Sequence, residues 1–459
     1  MTSISRQMAR FALGLRHEDM PAAALREACR YLYDSVGCAY GSVRTRDVNA
    51  LRGLYLDLGG KPESTLIGFG DRLPGISASL VNSLMIRALD FNDIYWKEDP
   101  SHPSDLIPAA LAAGEMADRS MKEVLVAILL AYEFEQRLCL FAVPGVRERG
   151  WHHATLTQFV SPLVAGWLLG LDEDQLVNAI GIAGCHSHTI GCPTAGKLTM
   201  MKNTVDPLAV QAGVQAALMA QRGYTGTEAV FEGKEGFQHC FGPGWNEDAL
   251  LGALPGSEGG RPWKILECSM KAFPTEALTH THLSATLKAM RKGRLGWQDL
   301  EKVTVTTIAR ACDILFDPHK YRPESRETAD HSLPYCIAAA IVDGQVTTAS
   351  FSDEKIHDPA IREVIDRIEG EASLEFEAMF PAKQPSRVRI LTKDGRLLEE
   401  YLEYPKGDPR EPMTEEDLDA KFGALAAPVL DEAGRARVKQ AIFGCEALSA
   451  REFMDALRF

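Results

Sequence analysis

A large all-helical domain with a smaller α+β domain inserted near its end is the fold this sequence predicts. Three observations carry that prediction. The first half of the chain repeats apolar residues at helical spacing. Near residue 265 the pattern changes to strand-like segments separated by helical ones. From Thr414 it is helical again. The helical domain is therefore expected over 1–265 and 405–459, and the α+β domain over 266–404.

Taken in order, the N-terminal segment MTSISRQMARFALGLRHEDMP reads as an amphipathic helix. In PAAALREACRYLYDSVGCAYG, Leu25, Ala28, Leu32 and Val36 share one helical face. MKEVLVAILLAYEFEQRL is apolar on most faces, as a helix buried among helices would be. PLVAGWLLG and LDEDQLVNAIGIAG follow, with Asp172 and Glu173 at a helix start. VDPLAVQAGVQAALMAQRG is rich in small residues that let helices approach closely, and Gly223 ends it. KVTVTTIAR (302–310) and GQVTTASF (344–351) read as strands. VRILTKDGRLLEEYLEY (388–404) reads as a hairpin turning at Asp394-Gly395. Helical patterns lie between them at KAFPTEALTHTHLSATLKAM and DPAIREVIDRIE. Thr414 and Asp417 form a capping-box pattern at the last helical stretch.

Composition narrows the function. At 459 residues, two domains are expected. A net charge of −14 argues against a nucleic-acid partner, although local cations can still hold a small anion. No apolar run approaches the roughly 20 residues that span a bilayer. With no long apolar leader, a cytoplasmic, non-membrane protein is expected. The ten cysteines form no C-x-x-C pair, as in a reducing compartment. No phosphate loop, G-x-S-x-G or H-E-x-x-H occurs.

Five stretches carry candidate chemistry. In ALDFNDIYWKEDPSHPSD, Asp90 and Asp93 would share a face if helical. Pro100 and Pro103 would fix the backbone around His102, and a carboxylate nearby would orient its ring for proton transfer. A helix end with solvated acids gives the same pattern. RGWHHATLTQ places His152 and His153 before a buried helix. GCHSHTIGCPTAGKLTMMKN holds Cys185, His186, His188 and Cys192 at no familiar zinc spacing. It also holds Lys197 and Lys202, either of which could meet a carboxylate or reach solvent. MKAFPTEALTHTH brings Glu276 and His280 to helical i,i+4 spacing, with His282 beyond. RETADHSLPY sets Asp330-His331 before a core helix.

The order of these motifs says more than any one of them. DFND with HPSD behind it, W-x-H, the small-residue stretch with Lys202, K-A-F-P-T-E, and E-T-A-D-H-S-L-P-Y before an Ala-rich helix ending in Asp-Gly together resemble the MmgE/PrpD family. The resemblance runs from near the N-terminus to the end of the chain. It implies a helical domain with an α+β lid, a homodimer, and lyase or isomerase chemistry on small polycarboxylates without metal or cofactor. It also implies pocket residues Asp90, His102, His153 and Lys202, with Glu276 facing them from the lid and His331 beside them. The spacing from Asp90 to His102, and Glu276 where decarboxylases carry a histidine, are similar to the dehydratase branch, whose substrate is the tricarboxylate 2-methylcitrate. Decarboxylation, isomerisation and an inactive polycarboxylate binder are the alternatives. Ile94 departs from the family pattern, which has a threonine after DFND; it is read as a substrate-pocket position that has lost a hydroxyl. Which histidine is acid and which is base is open at this level.

Overall fold

The computed structural model describes residues 2–195 and 198–459 and is mainly α. Helices α1 (Ile4–Gly14), α2 (Ala22–Ser42), α3 (Arg46–Leu58), α4 (Gly75–Arg87), α5 (Ile107–Met116), α6 (Met121–Leu138), α7 (Ala154–Leu168), α8 (Glu173–Gly184) and α9 (Met201–Gln221) make up the first half. Their starts obey local chemistry. Ser120 and Glu123 form a capping box at α6, and Asp172 and Gln175 form one at α8. Nearly all of α6 is buried, as its all-round apolar surface requires. Helices α7 and α9 approach so closely that a Cβ on Gly213 would lie 2.3 Å from Ser161 Oγ. The helices Glu415–Ala426, Glu432–Phe443 and Ala450–Ala456 return to the same apolar core from the far end of the chain.

A second apolar core is built from residues 277–390, with Trp96 inserted into it. Its sheet has the order β7-β6-β8-β9, formed by β6 (Leu300–Thr307), β7 (Ile368–Ala372), β8 (Ser386–Thr392) and β9 (Leu397–Leu402). The predicted hairpin is β8–β9, with Ile390 opposite Leu398 and Gly395 at φ +84° in the turn. His282, on the helix His280–Gly293, bridges Ser386 on β8 and Thr307 on β6.

Two strand expectations change. GQVTTASF is not a strand: Thr348–Phe351 winds into a 3₁₀ turn, and Tyr335 donates a hydrogen bond to Ser350 O. Buried Val346 and Phe351 anchor this segment to the second core without strand pairing. Conversely, the segment expected to stay helical through Glu369 ends at Ile365, and β7 then pairs in parallel with β6. Four of the five β7 residues are exposed, so little apolar alternation announces it.

Between the two cores runs a small seam sheet of order β4-β3-β5: β3 (Asp93–Trp96), β4 (Pro100–Ser101) and β5 (Ser269–Met270). It follows the only other short pair, β1 (Ser64–Thr65) with β2 (Arg72–Leu73), among the described residues. Lys421, buried on a C-terminal helix, donates to Phe91 O and Lys271 O and pairs with Asp34 at 2.6 Å. One ammonium thus ties both sides of the seam to α2.

Candidate active site

The opening DFND motif is not helical, which corrects the shared-face expectation for Asp90 and Asp93. Helix α4 stops at Arg87, and Asp90 follows with φ +49°. A non-glycine residue in that left-handed region is uncommon and is held there by its surroundings. The chain then extends into β3. Asp93 accepts from Ser104 Oγ (2.6 Å), Ser104 N (3.0 Å) and Tyr132 Oη (2.6 Å). Burial lifts this carboxyl to about 6 against those donors. Asp93 is thus a clamp on the loop carrying His102. Pro103 opens a 3₁₀ turn, so the proline bracket does fix this backbone.

His102 Nδ1 lies 2.6 Å from Asp93 O. A carbonyl can only accept, so Nδ1 carries the hydrogen and Nε2 the lone pair. Burial, with Arg87, Lys271 and His153 nearby, holds His102 well below the usual imidazole range. It is a neutral ring with a free lone pair on Nε2.

Asp90 gathers the cations. Its carboxylate lies 2.5 Å from Arg87, 2.9 Å from Lys202 and 2.9 Å from Lys271. His331 Nε2 stands 3.8 Å away, its Nδ1 bound to Asp330. Burial alone would raise Asp90, but Lys202, Lys271 and Arg87 together hold it well below the carboxylate range. Burial pushes Lys271 down. Two lysines thus share one carboxylate, while Arg87 also meets Asp105 at 3.5 Å and Asp206 at 3.8 Å, a buried setting in which an anionic guest can share the ammoniums.

His153 faces His102 with ring centroids 5.6 Å apart. Its Nε2 lies 3.3 Å from Asp206 Oδ1, and Asp206 Oδ2 lies 3.8 Å from Arg87 Nε. His153 also lines a cavity of about 430 Å³ with Arg147, Trp151, His152 and Cys192. His152, His153 and Asp206 offer atoms within 4.8 Å of one another, the composition of a metal site. Two details oppose that use. His152 Nδ1 accepts from Ala154 N, so its Nε2 carries a proton, and Arg87 already supplies a cation to Asp206.

The structure thus brings Asp90, His102, His153, Lys202 and His331 together. Glu276 is half-buried nearby, but it caps the turn Ala277–Thr279 by accepting from Leu278 N, rather than pairing with His280 along a helix. Burial raises Glu276, with His331 and Lys271 opposing. Ile94 lines a cavity with Trp96, Lys97, Gln384 and Arg410, a lining that holds none of Asp90, His102, His153, Lys202 or His331. His188 bonds to Gly184 O and His186 to Ser187, so the metal reading of that loop gains nothing; Lys197 lies outside the described residues. Three members escaped the sequence reading. Lys271 opens the K-A-F-P-T-E motif but was not singled out. Arg87 and Asp206 sit inside ordinary helical patterns, with no local signal.

A buried cluster of two imidazoles, two lysines and an ionised aspartate has the composition that acid–base chemistry on a small anion requires. The family comparison agrees. The MmgE/PrpD N-terminal domain matches residues 6–248 and the MmgE/PrpD C-terminal domain matches residues 273–445. The chain belongs to the MmgE/PrpD family. It is similar to the cis-aconitate decarboxylase of Aspergillus terreus (strain NIH 2624 / FGSC A1156), 26% identical over 462 residues, which cover 96% of this chain and 92% of the relative. The Homo sapiens cis-aconitate decarboxylase is 25% identical over 448 residues, 94% of this chain and 89% of the relative. The 2-methylcitrate dehydratase of Cupriavidus necator is 26% identical over 430 residues, 86% of this chain and 84% of the relative.

Proposed function

We propose that this chain is a hydro-lyase that removes water from a small tricarboxylate, 2-methylcitrate to 2-methylaconitate being the reaction we assign. The observation that carries the proposal is the facing pair His102 and His153 beside Lys202 and Lys271. Dehydration needs two proton transfers. One imidazole takes the proton from the carbon beside a carboxylate. The negative charge that develops spreads into that carboxylate, next to Lys202 and Lys271. The carbon–oxygen bond then breaks, and the second imidazole protonates the departing hydroxide to water. Asp90 holds the lysines in place until the substrate's carboxylates share them. The segment 266–404 acts as the lid, bringing Lys271, Glu276 and His331 over the helical part. The working form is a homodimer in the cytoplasm, and the reaction needs no metal or cofactor.

Decarboxylation of cis-aconitate is the second reading, because relatives of both names stand at similar identity. Inactive binding of a polycarboxylate is the remote reading, motivated by Ile94 where the family carries a threonine. Proton NMR of chelator-treated protein with 2-methylcitrate, citrate and cis-aconitate, each separately, decides. Loss of water from 2-methylcitrate supports the hydro-lyase. Carbon dioxide and itaconate from cis-aconitate transfer the chain to the decarboxylases. Silence on all three ends both readings.

A further inference from the structure

We infer that Asp206 is the positioning residue of His153, making His153 the proton donor of the pocket and His102 its base. The inference rests on the acid–base reading above and assigns the roles that reading leaves open. The two rings have opposite environments. His102 gives its Nδ1 hydrogen to an uncharged carbonyl, Asp93 O, at 2.6 Å. Arg87, Lys271 and His153 oppose a second proton on this ring, and Asp90 favours one. A second proton on that ring would meet mostly cations.

His153 instead points Nε2 at a carboxylate, Asp206 Oδ1, 3.3 Å away and off the line of a direct hydrogen bond. Such bonds commonly tighten only when substrate is bound. Asp206 is 2% exposed, on α9, and its Oδ2 has no hydrogen-bond donor among the described residues. Burial would raise it, but His153, His152 and Arg87 keep it ionised. The other groups facing His153 are His102, His152 and Asp99. A protonated His153 therefore has a buried counter-charge, and a protonated His102 has little.

The step balances simply. His102 Nε2 accepts the proton from carbon, the hydroxyl leaves with the bonding pair, and His153 transfers a proton to it, forming water. A second turnover needs a proton passed from His102 to His153, either directly across the 5.6 Å gap or through water.

Asp206→Asn keeps the shape and removes the charge. Its kcat should fall about 100-fold, within the range for general acid–base groups, with KM changed little. The alkaline limb of the pH–rate profile should move to lower pH, while the acidic limb, set by His102, stays. In a His153→Gln background, Asp206→Asn should add almost nothing. Equal losses in both backgrounds, or an unmoved alkaline limb, would overturn the assignment. A turnover-independent reading is nitrogen-15 NMR of histidine-labelled protein, with His153→Gln assigning the resonances. The wild-type His153 ring should carry a hydrogen on the Nε2 that faces Asp206, and the His102 ring on Nδ1 only. The reverse pattern overturns the inference even if Asp206→Asn fails to fold. The expected ring pattern with no turnover of any polycarboxylate would sink the reaction proposed above and leave the Asp206–His153 pairing standing.

Discussion

At the scale of single residues, the site is a problem in keeping charge buried. Lys202 and Lys271 are 3% and 2% exposed, which a lone ammonium could not tolerate. Asp90 makes them tolerable, and it does so from a left-handed backbone reached just past α4. Replacing His102 by Gln should preserve the fold and cut turnover by a factor of about 100 to 10,000, the usual share of a general base. A purified variant with wild-type circular dichroism and near-full kcat would remove His102 from the mechanism. Ile94→Thr makes the opposite prediction. Because Ile94 lines a separate cavity, kcat/KM should stay within about twofold, the factor set by roughly 0.5 kcal/mol. A large gain in activity would bring Ile94 back into the substrate pocket. Of the pocket, Asp90, His102, His153 and Lys202 could be read in sequence because each stands in a short motif. Arg87 and Asp206 could not, since an arginine or aspartate within a helix looks solvent-facing until its neighbours are known.

At the scale of elements, regular helices were the legible part. Helix α6 carries both a capping box and an apolar surface, so its bounds follow from residues close in sequence. The strand β7 was not legible, because its ladder partner β6 lies far back in the chain. Two predictions belong here. Gly407 holds the seam at φ +95°, where a Cβ would stand 1.8 Å from Met270 O. Gly407→Ala should cost about 2 kcal/mol in urea unfolding, the scale of a strained backbone site. An unchanged midpoint would mean the seam can shift at no cost. His282 clamps a helix to β6 and β8 as a neutral ring, and burial lowers it to about 3. The unfolded ring titrates at its ordinary 6.5 and so binds more protons than the folded ring below that pH. Its contribution is whole above 6.5 and is lost as pH falls towards 3, by up to about 1.4 kcal/mol per unit. Urea midpoints at several pH values should slope less in His282→Gln, and parallel slopes would assign the acid sensitivity elsewhere.

At the scale of the whole molecule, the two apolar cores meet along a thin seam, and the pocket is supplied from both sides of it. Asp90, His102, His153 and Lys202 come from the first half of the chain; Lys271, Glu276 and His331 come from the later segment. If that segment is a lid, a tricarboxylate ligand should slow amide exchange at 269–276 and 326–332 together. Protection of only one stretch would argue against closure as a unit. Helical periodicity, caps, the hairpin turn and the separated motifs were all determined by residues near one another, so the sequence was enough for them. Which cation meets which carboxylate, where Ile94 points, and how each histidine is partnered were decided only by the tertiary structure. Those pairings join residues remote in the chain, and their electrostatics arise from burial, which no local pattern encodes.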